Sequence, residues 1–293
     1  MTYDNVRYTT MTMDTLQRVA PSAFATNAHS KTSDQYEFLA TASLIEHLSQ
    51  KTDWVVSEAR QSNVRDPERN GFQKHLITLR RGSDMARFRE NKVQSGEILP
   101  QILLTNSHDG KCSVMQSPGF LRVVCGNGLV VSDSVLNAVR IRHSLENIQS
   151  IDHMVEVTMQ IANGLENVLE FVESYKKTIL KPEEVLRFAN AAVVLRKKFY
   201  NSEVLPESLL AVHRSEDTQN SLFNVFNRIQ ENMIRGYARI PSKNKKGEYT
   251  ERKARPVTNI DATLRLNKGL WEICDSFISK KPVEEVVEAF SVN

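Results

Sequence analysis

Apolar and polar positions change rhythm along this chain, and the rhythm predicts its elements. A short helix is expected over Met13–Val19, stopped by Pro21. Ala42, Ile45 and Leu48 then recur at helical spacing. Trp54 to Val64 opens on three apolar residues and passes into polar alternation, the mark of a strand. Phe72–Arg81 is a second such run, and the turn signals Asp66-Pro67 and Asn70-Gly71 between the two predict a hairpin with a long loop. Met85–Gly96 is densely charged without a clear period and is expected to be a mobile excursion.

The densest strand signal follows. Ile98–Thr105, Lys111–Gln116 and Phe120–Cys125 read as successive strands, with Leu129–Ser132 as a fourth. Asn106–Gly110, Ser117–Gly119 and Gly126–Gly128 supply turns, being rich in residues that tolerate left-handed backbone. From about residue 145 the rhythm becomes helical. Ile148, Ile151, Val155, Met159, Leu165, Val168, Val172 and Tyr175 form one stripe. Val185, Leu186, Ala189, Val193 and Leu195 form another, behind Pro182 in a first turn. Ser221–Tyr237 predicts a helix with Leu222, Val225, Phe226, Ile229 and Met233 on one face, and Asn259–Ile278 predicts a last one. The order predicts an α+β fold: an antiparallel sheet of hairpins at about 54–132, packed against and followed by a helical C-terminal half. The expected organisation is an N-terminal helical segment (1–50), a β core (51–145) and a helical region (146–293), integrated into one domain.

Composition narrows the function classes. The 293 residues are 40% hydrophobic and 25% charged, which is ordinary for a globular chain and excludes a low-complexity one. No apolar run reaches the roughly 18 residues of a membrane span, and Met1–Ala20 holds no apolar block, so neither a membrane segment nor a signal peptide is expected. Three cysteines, Cys112, Cys125 and Cys274, argue against a disulfide scaffold and for a cytoplasmic setting. Neither a G-x-x-x-x-G-K-[ST] nor a G-x-G-x-x-G pattern occurs, which excludes the usual nucleotide-hydrolase and dehydrogenase machinery. No cofactor and no metal are expected.

A net charge of +3 does not by itself suggest a nucleic-acid binder, but its distribution does. Residues 235–255 hold eight basic side chains against two acidic ones: Arg235, Arg239, Lys243, Lys245, Lys246, Arg252, Lys253 and Arg255 against Glu248 and Glu251. Tyr237 and Tyr249 are interleaved, and aromatics beside cations suit stacking on unpaired bases. The competing reading is a solvated loop that only keeps the protein in solution. Arg122 stands mid-strand between apolar neighbours, and with Arg80, Arg81 and Lys74 it would build a basic sheet face if their strands adjoin.

Leu103–Leu129 reads LLTNSHDGKCSVMQSPGFLRVVCGNGL and gathers the remaining chemistry. Asn106, Asp109 and Gly110 are accounted for by turn formation, whereas His108 on the expected hairpin tip is not. Cys125, ahead of Gly126-Asn127-Gly128, invites a nucleophile reading with His108 as base, set against a cysteine simply buried at a strand end. These residues, with Val64–Arg69, Lys74–Arg81, Arg228–Gly236 and Asn259–Asn267, resemble the domain of unknown function 932 family of phage/plasmid-like proteins from about residue 15 to 275. That resemblance implies a mobile-element setting and assigns no activity and no site residues. More distantly, a hairpin sheet followed by a long helix looks like the core of phage single-strand annealing recombinases, an analogy of fold alone.

The leading expectation is therefore a non-enzymatic, cytoplasmic, nucleic-acid-binding protein of plasmids or phages. Its sharper form binds or anneals single-stranded DNA as a homo-oligomer. The alternative is an anti-defence or regulatory protein that binds a host defence protein. An enzyme using His108 and Cys125 is a third reading.

Overall fold

The first helix is set by its cap: Thr12 accepts from the Thr15 amide and starts α1 (Met13–Val19), which buries Leu16. A 3-10 turn at Pro21–Phe24 follows, then α2 (Thr41–Lys51), whose Leu44, Ile45 and Leu48 are fully buried. The sheet is built from β1 (Trp54–Gln61), β2 (His75–Arg81), β3 (Ile98–Asn106), β4 (Val114–Arg122), β5 (Gly128–Val130) and β6 (Val139–Ile141). Its order is β1-β2-β3-β4-β5, with β6 also paired to β4. The fold is α+β, with this antiparallel sheet in the N-terminal half and mostly helices after it. The computed structural model describes residues 9–123, 128–130, 138–144, 147, 148, 150–200 and 203–289.

Two sequence expectations are corrected within the sheet. Ser117-Pro118-Gly119 is no turn, because β4 runs through it with Pro118 opposite Ile102 and Gly119 opposite Gln101. A proline forgoes one ladder hydrogen bond, worth about 1 kcal/mol. Burial of Phe120 and Leu121, both 0% exposed, contributes about 1.5–3 kcal/mol each and keeps the strand intact. The Met85–Gly96 stretch, expected to be a mobile excursion, begins inside a helix, α3 (Gly82–Arg89). Met85 is buried there, Phe88 and Val93 pack on Leu99, Leu121 and Val123, and Arg87 pairs with both Asp84 and Glu97.

The helical part comprises α4 (Ile151–Lys177), α5 (Pro182–Lys197), α6 (Pro206–Leu209), α7 (Leu222–Arg235), α8 (Ile260–Ser279) and α9 (Val283–Ala289). Leu165, Val168, Val172 and Tyr175 of the first predicted stripe are buried. Leu186, placed on the second stripe, is 42% exposed. Ser221 caps α7 by accepting from the Asn224 amide, and Asn259 caps α8 through the Ala262 amide. The basic stretch after α7 is a two-stranded antiparallel ribbon, β7 (Arg239–Lys243) and β8 (Tyr249–Lys253), where an irregular loop was expected.

By its internal packing the chain divides into two compact units, one of residues 1–129 with 136–166 and one of 130–135 with 167–293. The division falls inside α4. No helix among the described residues is long and apolar enough to cross a membrane.

Candidate functional site

Two places gather the chemistry singled out in the sequence, one in each unit. In the sheet-bearing unit, the turn after β3 is not an exposed hairpin tip. Asn106, Ser107, His108 and Asp109 are all buried, covered by the segments around His29–Thr41 and Arg69–Phe72. The His108 amide donates to the Phe72 carbonyl at 2.8 Å, and the His108 carbonyl accepts from the His29 amide at 2.8 Å. Asp109 accepts from the Lys111 amide at 3.2 Å, as a turn aspartate does, and its other oxygen meets Arg69 at 3.3 Å. Gly110 supplies the left-handed residue, with φ +73°.

His108 belongs to an internal polar cluster. Thr41 Oγ1 lies 2.9 Å from His75 Nε2 and 3.4 Å from His108 Nε2, and accepts from Asn106 Nδ2 at 3.0 Å. His75 Nδ1 faces the Gln73 carbonyl at 3.2 Å, so it carries the proton and His75 Nε2 accepts from Thr41. With its one proton so used, Thr41 Oγ1 accepts from His108 Nε2–H. This assignment rests on the partners, and leaves His108 Nδ1 buried without a hydrogen-bond partner among the described residues. Burial pushes His75 down to about 4. It pushes His108 down to about 3, with His75 and His143 adding like-charge repulsion. His143 stacks on Tyr36 and is also lowered by burial, against which its bond to the Glu37 carbonyl at 2.8 Å works. His75 and His108 are therefore neutral, and the cluster fastens α2 and the segment before it onto β2 and the β3 turn.

The expected basic sheet face does not form. Arg80 is 1% exposed, held by Glu58 at 2.7 Å and by Gln101. Arg81, the next residue, lies over the Trp54 ring, and Arg122 is buried. Alternation along a strand sends neighbours to opposite faces, so Arg80 and Arg81 cannot join one patch. Cys125 and Asn127 lie outside the described residues, and Gly128 begins β5. Among the described residues no group of three or more His, Cys, Asp or Glu is arranged to hold a metal ion.

In the helical unit, the ribbon does gather the predicted cations. Arg239 pairs with Lys253 across the strands and Lys243 with Tyr249, which puts these four on one face. Lys245 and Lys246 occupy the tip, closed by Asn244, whose side-chain oxygen accepts from the Lys246 amide at 2.9 Å and the Glu248 amide at 3.0 Å. Arg239, Lys243, Lys245, Lys246, Arg252, Lys253 and Arg255 are all exposed, and Tyr249 is 65% exposed. The two local acids are engaged elsewhere: Glu248 by Asn244 at 2.7 Å and Glu251 by the Tyr249 hydroxyl at 3.2 Å. None of the seven cations forms an ion pair among the described residues. Arg235, by contrast, turns inward to buried Glu231, which Arg214 grips with two nitrogens at 2.7 and 3.3 Å.

The root of the ribbon is fixed by residues that the sequence reading did not single out as site residues. Asn232 is fully buried: its side-chain nitrogen donates to the carbonyls of Leu209, Ala211 and Arg228, and its oxygen lies 2.8 Å from His213 Nε2. Gly236 ends α7 in the left-handed region, and a Cβ there would sit 2.7 Å from both the Ala254 oxygen and the Pro256 nitrogen. Ala254 N–H then bonds to Ala238 O, and Leu205 N–H to Arg239 O, each at 2.8 Å. A polar side chain on an amphipathic helix reads as solvated, and no local signal marks Asn232 as buried.

A family model described as Domain of unknown function (DUF932) matches residues 28–271. The UPF0380 protein YfjQ of Escherichia coli (strain K12) is 32% identical over 270 residues, covering 92% of this chain and 92% of its own length. The UPF0380 protein YafZ of the same organism is 31% identical over 270 residues with the same coverage. No solved structure matches the chain. Matched over most of its length and at these identities, the chain belongs to the DUF932 family.

Proposed function

We propose that this protein binds nucleic acid without transforming it, using the β7–β8 ribbon, and that single-stranded DNA is its preferred form. One observation carries this reading: seven exposed cations, without ion pairs among the described residues, lie on and beside a ribbon whose acids are occupied and whose root is closely packed. In residues 239–255 the net charge is +5, more than the +3 of the whole chain, so the remainder is slightly acidic. Such a concentration favours a polyanion, since each phosphate neutralised releases condensed counterions. Tyr249 beside Lys243 supplies a ring on which an unpaired base stacks, worth about 1–3 kcal/mol per base. The plasmid or phage setting implied by the family resemblance suits this activity, and a homo-oligomer would array several ribbons along one strand.

The test is fluorescence anisotropy of a labelled oligodeoxythymidine at low salt. The native protein is expected to bind. A variant with Lys243, Lys245, Lys246, Arg252 and Lys253 all changed to Gln is expected to lose binding while keeping its melting temperature, because these side chains are solvated. Failure of the native protein to bind would sink the proposal. Should the ribbon instead retain a host protein and ignore DNA, the anti-defence reading would replace it.

A further inference from the structure

The connection from β1 to β2 is long, and it is folded rather than loose. Asp66 accepts from the Glu68 amide to start a 3-10 turn at Pro67–Arg69, and Ser62 N–H bonds to Lys74 O at 2.8 Å. Arg69 reaches across to Asp109, meeting both its carboxylate and its carbonyl at 3.3 Å. His29 Nε2 holds the Glu68 carbonyl at 3.1 Å. The buried Asn106–Asp109 segment therefore anchors this connection.

The folded connection encloses a cleft of about 360 Å³, lined by Gln61, Asn63, Val64, Arg65, Asn70 and Gln73, with Pro67 at its side. That volume lies within the range of small-molecule sites, about 300–1,000 Å³. The polar lining is four carboxamides and one guanidinium, with no carboxylate. The acceptor ends of the carboxamides are largely consumed by the fold itself. Gln61 Oε1 accepts from the Ser22 amide at 3.1 Å, Gln73 Oε1 from the Gly71 amide at 2.6 Å, and Asn70 Oδ1 from Gln73 Nε2 at 3.3 Å. Gln73 is 3% exposed, so this wall is built in. With those oxygens engaged, Gln61 and Asn70 keep side-chain N–H groups to offer, and the lining adds the exposed Asn63 and the half-buried Arg65. The neighbouring acids do not cancel Arg65. Asp66 lies 3.5 Å from Arg69 Nε, and Glu68 pairs with Lys31 at 2.5 Å.

A lining of carboxamide N–H donors with one guanidinium matches an acceptor-rich anion, and phosphate is a group that arginine holds well with two parallel bonds. Val64 and Pro67 add apolar surface that a bare phosphate would leave uncovered. We propose that this cleft is a binding site for a small phosphomonoester of nucleotide size, held through its phosphate by Arg65 and the Gln61, Asn63 and Asn70 amides. It is a separate site from the ribbon and does not depend on DNA binding there.

Isothermal titration calorimetry of the full chain with adenosine and uridine 5′-monophosphate tests this, with inorganic phosphate and the two nucleosides as comparisons. At least one nucleotide is expected to bind more tightly than phosphate, and the nucleosides not to bind. Arg65→Ala is expected to weaken the nucleotide at least tenfold. Gln61→Glu keeps the acceptor for the Ser22 amide but puts a negative charge where a donor stood, and is expected to abolish binding. The five-fold ribbon variant is expected to bind the nucleotide as the native protein does, which separates this site from the proposed DNA interface. Absence of nucleotide binding, nucleoside binding equal to nucleotide, or unchanged affinity in both Arg65→Ala and Gln61→Glu overturns the proposal.

Discussion

His108 sits where a proton would be costly. Its ring packs against Phe38 and His75, and among the described residues a proton on Nδ1 would find no acceptor. The consequence is a pH dependence with a definite sign. His75 and His108 titrate in the folded protein near 4 and 3, below the unfolded value of about 6.5. The unfolded chain therefore binds more protons below 6.5, and stability present above that pH is lost as pH falls toward the folded values. Each of the two contributes a slope of roughly 1.4 kcal/mol per pH unit over that window. Urea midpoints measured from pH 7.5 to 5 are expected to fall, and a flat or rising profile would contradict a neutral buried cluster. At this scale the sequence was only partly legible. Asn106, Asp109 and Gly110 do the turn work that their types announce, but nothing local to Arg80 or Arg122 says that the strand faces they occupy are buried. Burial of an arginine depends on what the rest of the chain lays over it.

The elements were more legible than their ends and connections. Helices α1, α2, α7 and α8 and strands β1 to β3 follow from periodicity, because each presents one clearly apolar face. Ser117-Pro118-Gly119 misled because turn chemistry is a local preference, and the pairing of β4 with β3 along its whole length outweighs it. The ribbon was recognised as basic but not as a hairpin, since its strands are short and mostly polar on both faces. Its position depends on Gly236, and this gives a prediction about the element. In Gly236→Ala the left-handed conformation costs about 1–2 kcal/mol, and the new Cβ also meets backbone atoms that no rotamer change can move. Gly247→Ala at the ribbon tip bears the conformational cost alone, with open space around it. Chemical denaturation should find the first variant less stable than the second. Equal losses would contradict the tight root described for the ribbon.

For the molecule as a whole, the sequence indicated an α+β chain of the DUF932 family, and the fold and family are as indicated. What composition could not indicate was which of its many cations remain available. Most basic side chains near the recognisable motifs are spent on internal partners: Arg69 on Asp109, Arg80 on Glu58, Arg214 on Glu231. Those of the ribbon are not, and the central claim is that they meet phosphates. The salt dependence of binding to single-stranded DNA measures this most directly. A plot of log affinity against log salt concentration has a slope of about −0.7 for each phosphate neutralised on a single strand. Replacing Lys243, Arg252 and Lys253 one after another is expected to make the slope shallower by up to about 0.7 at each step. A slope unchanged through the series would contradict a phosphate-binding ribbon.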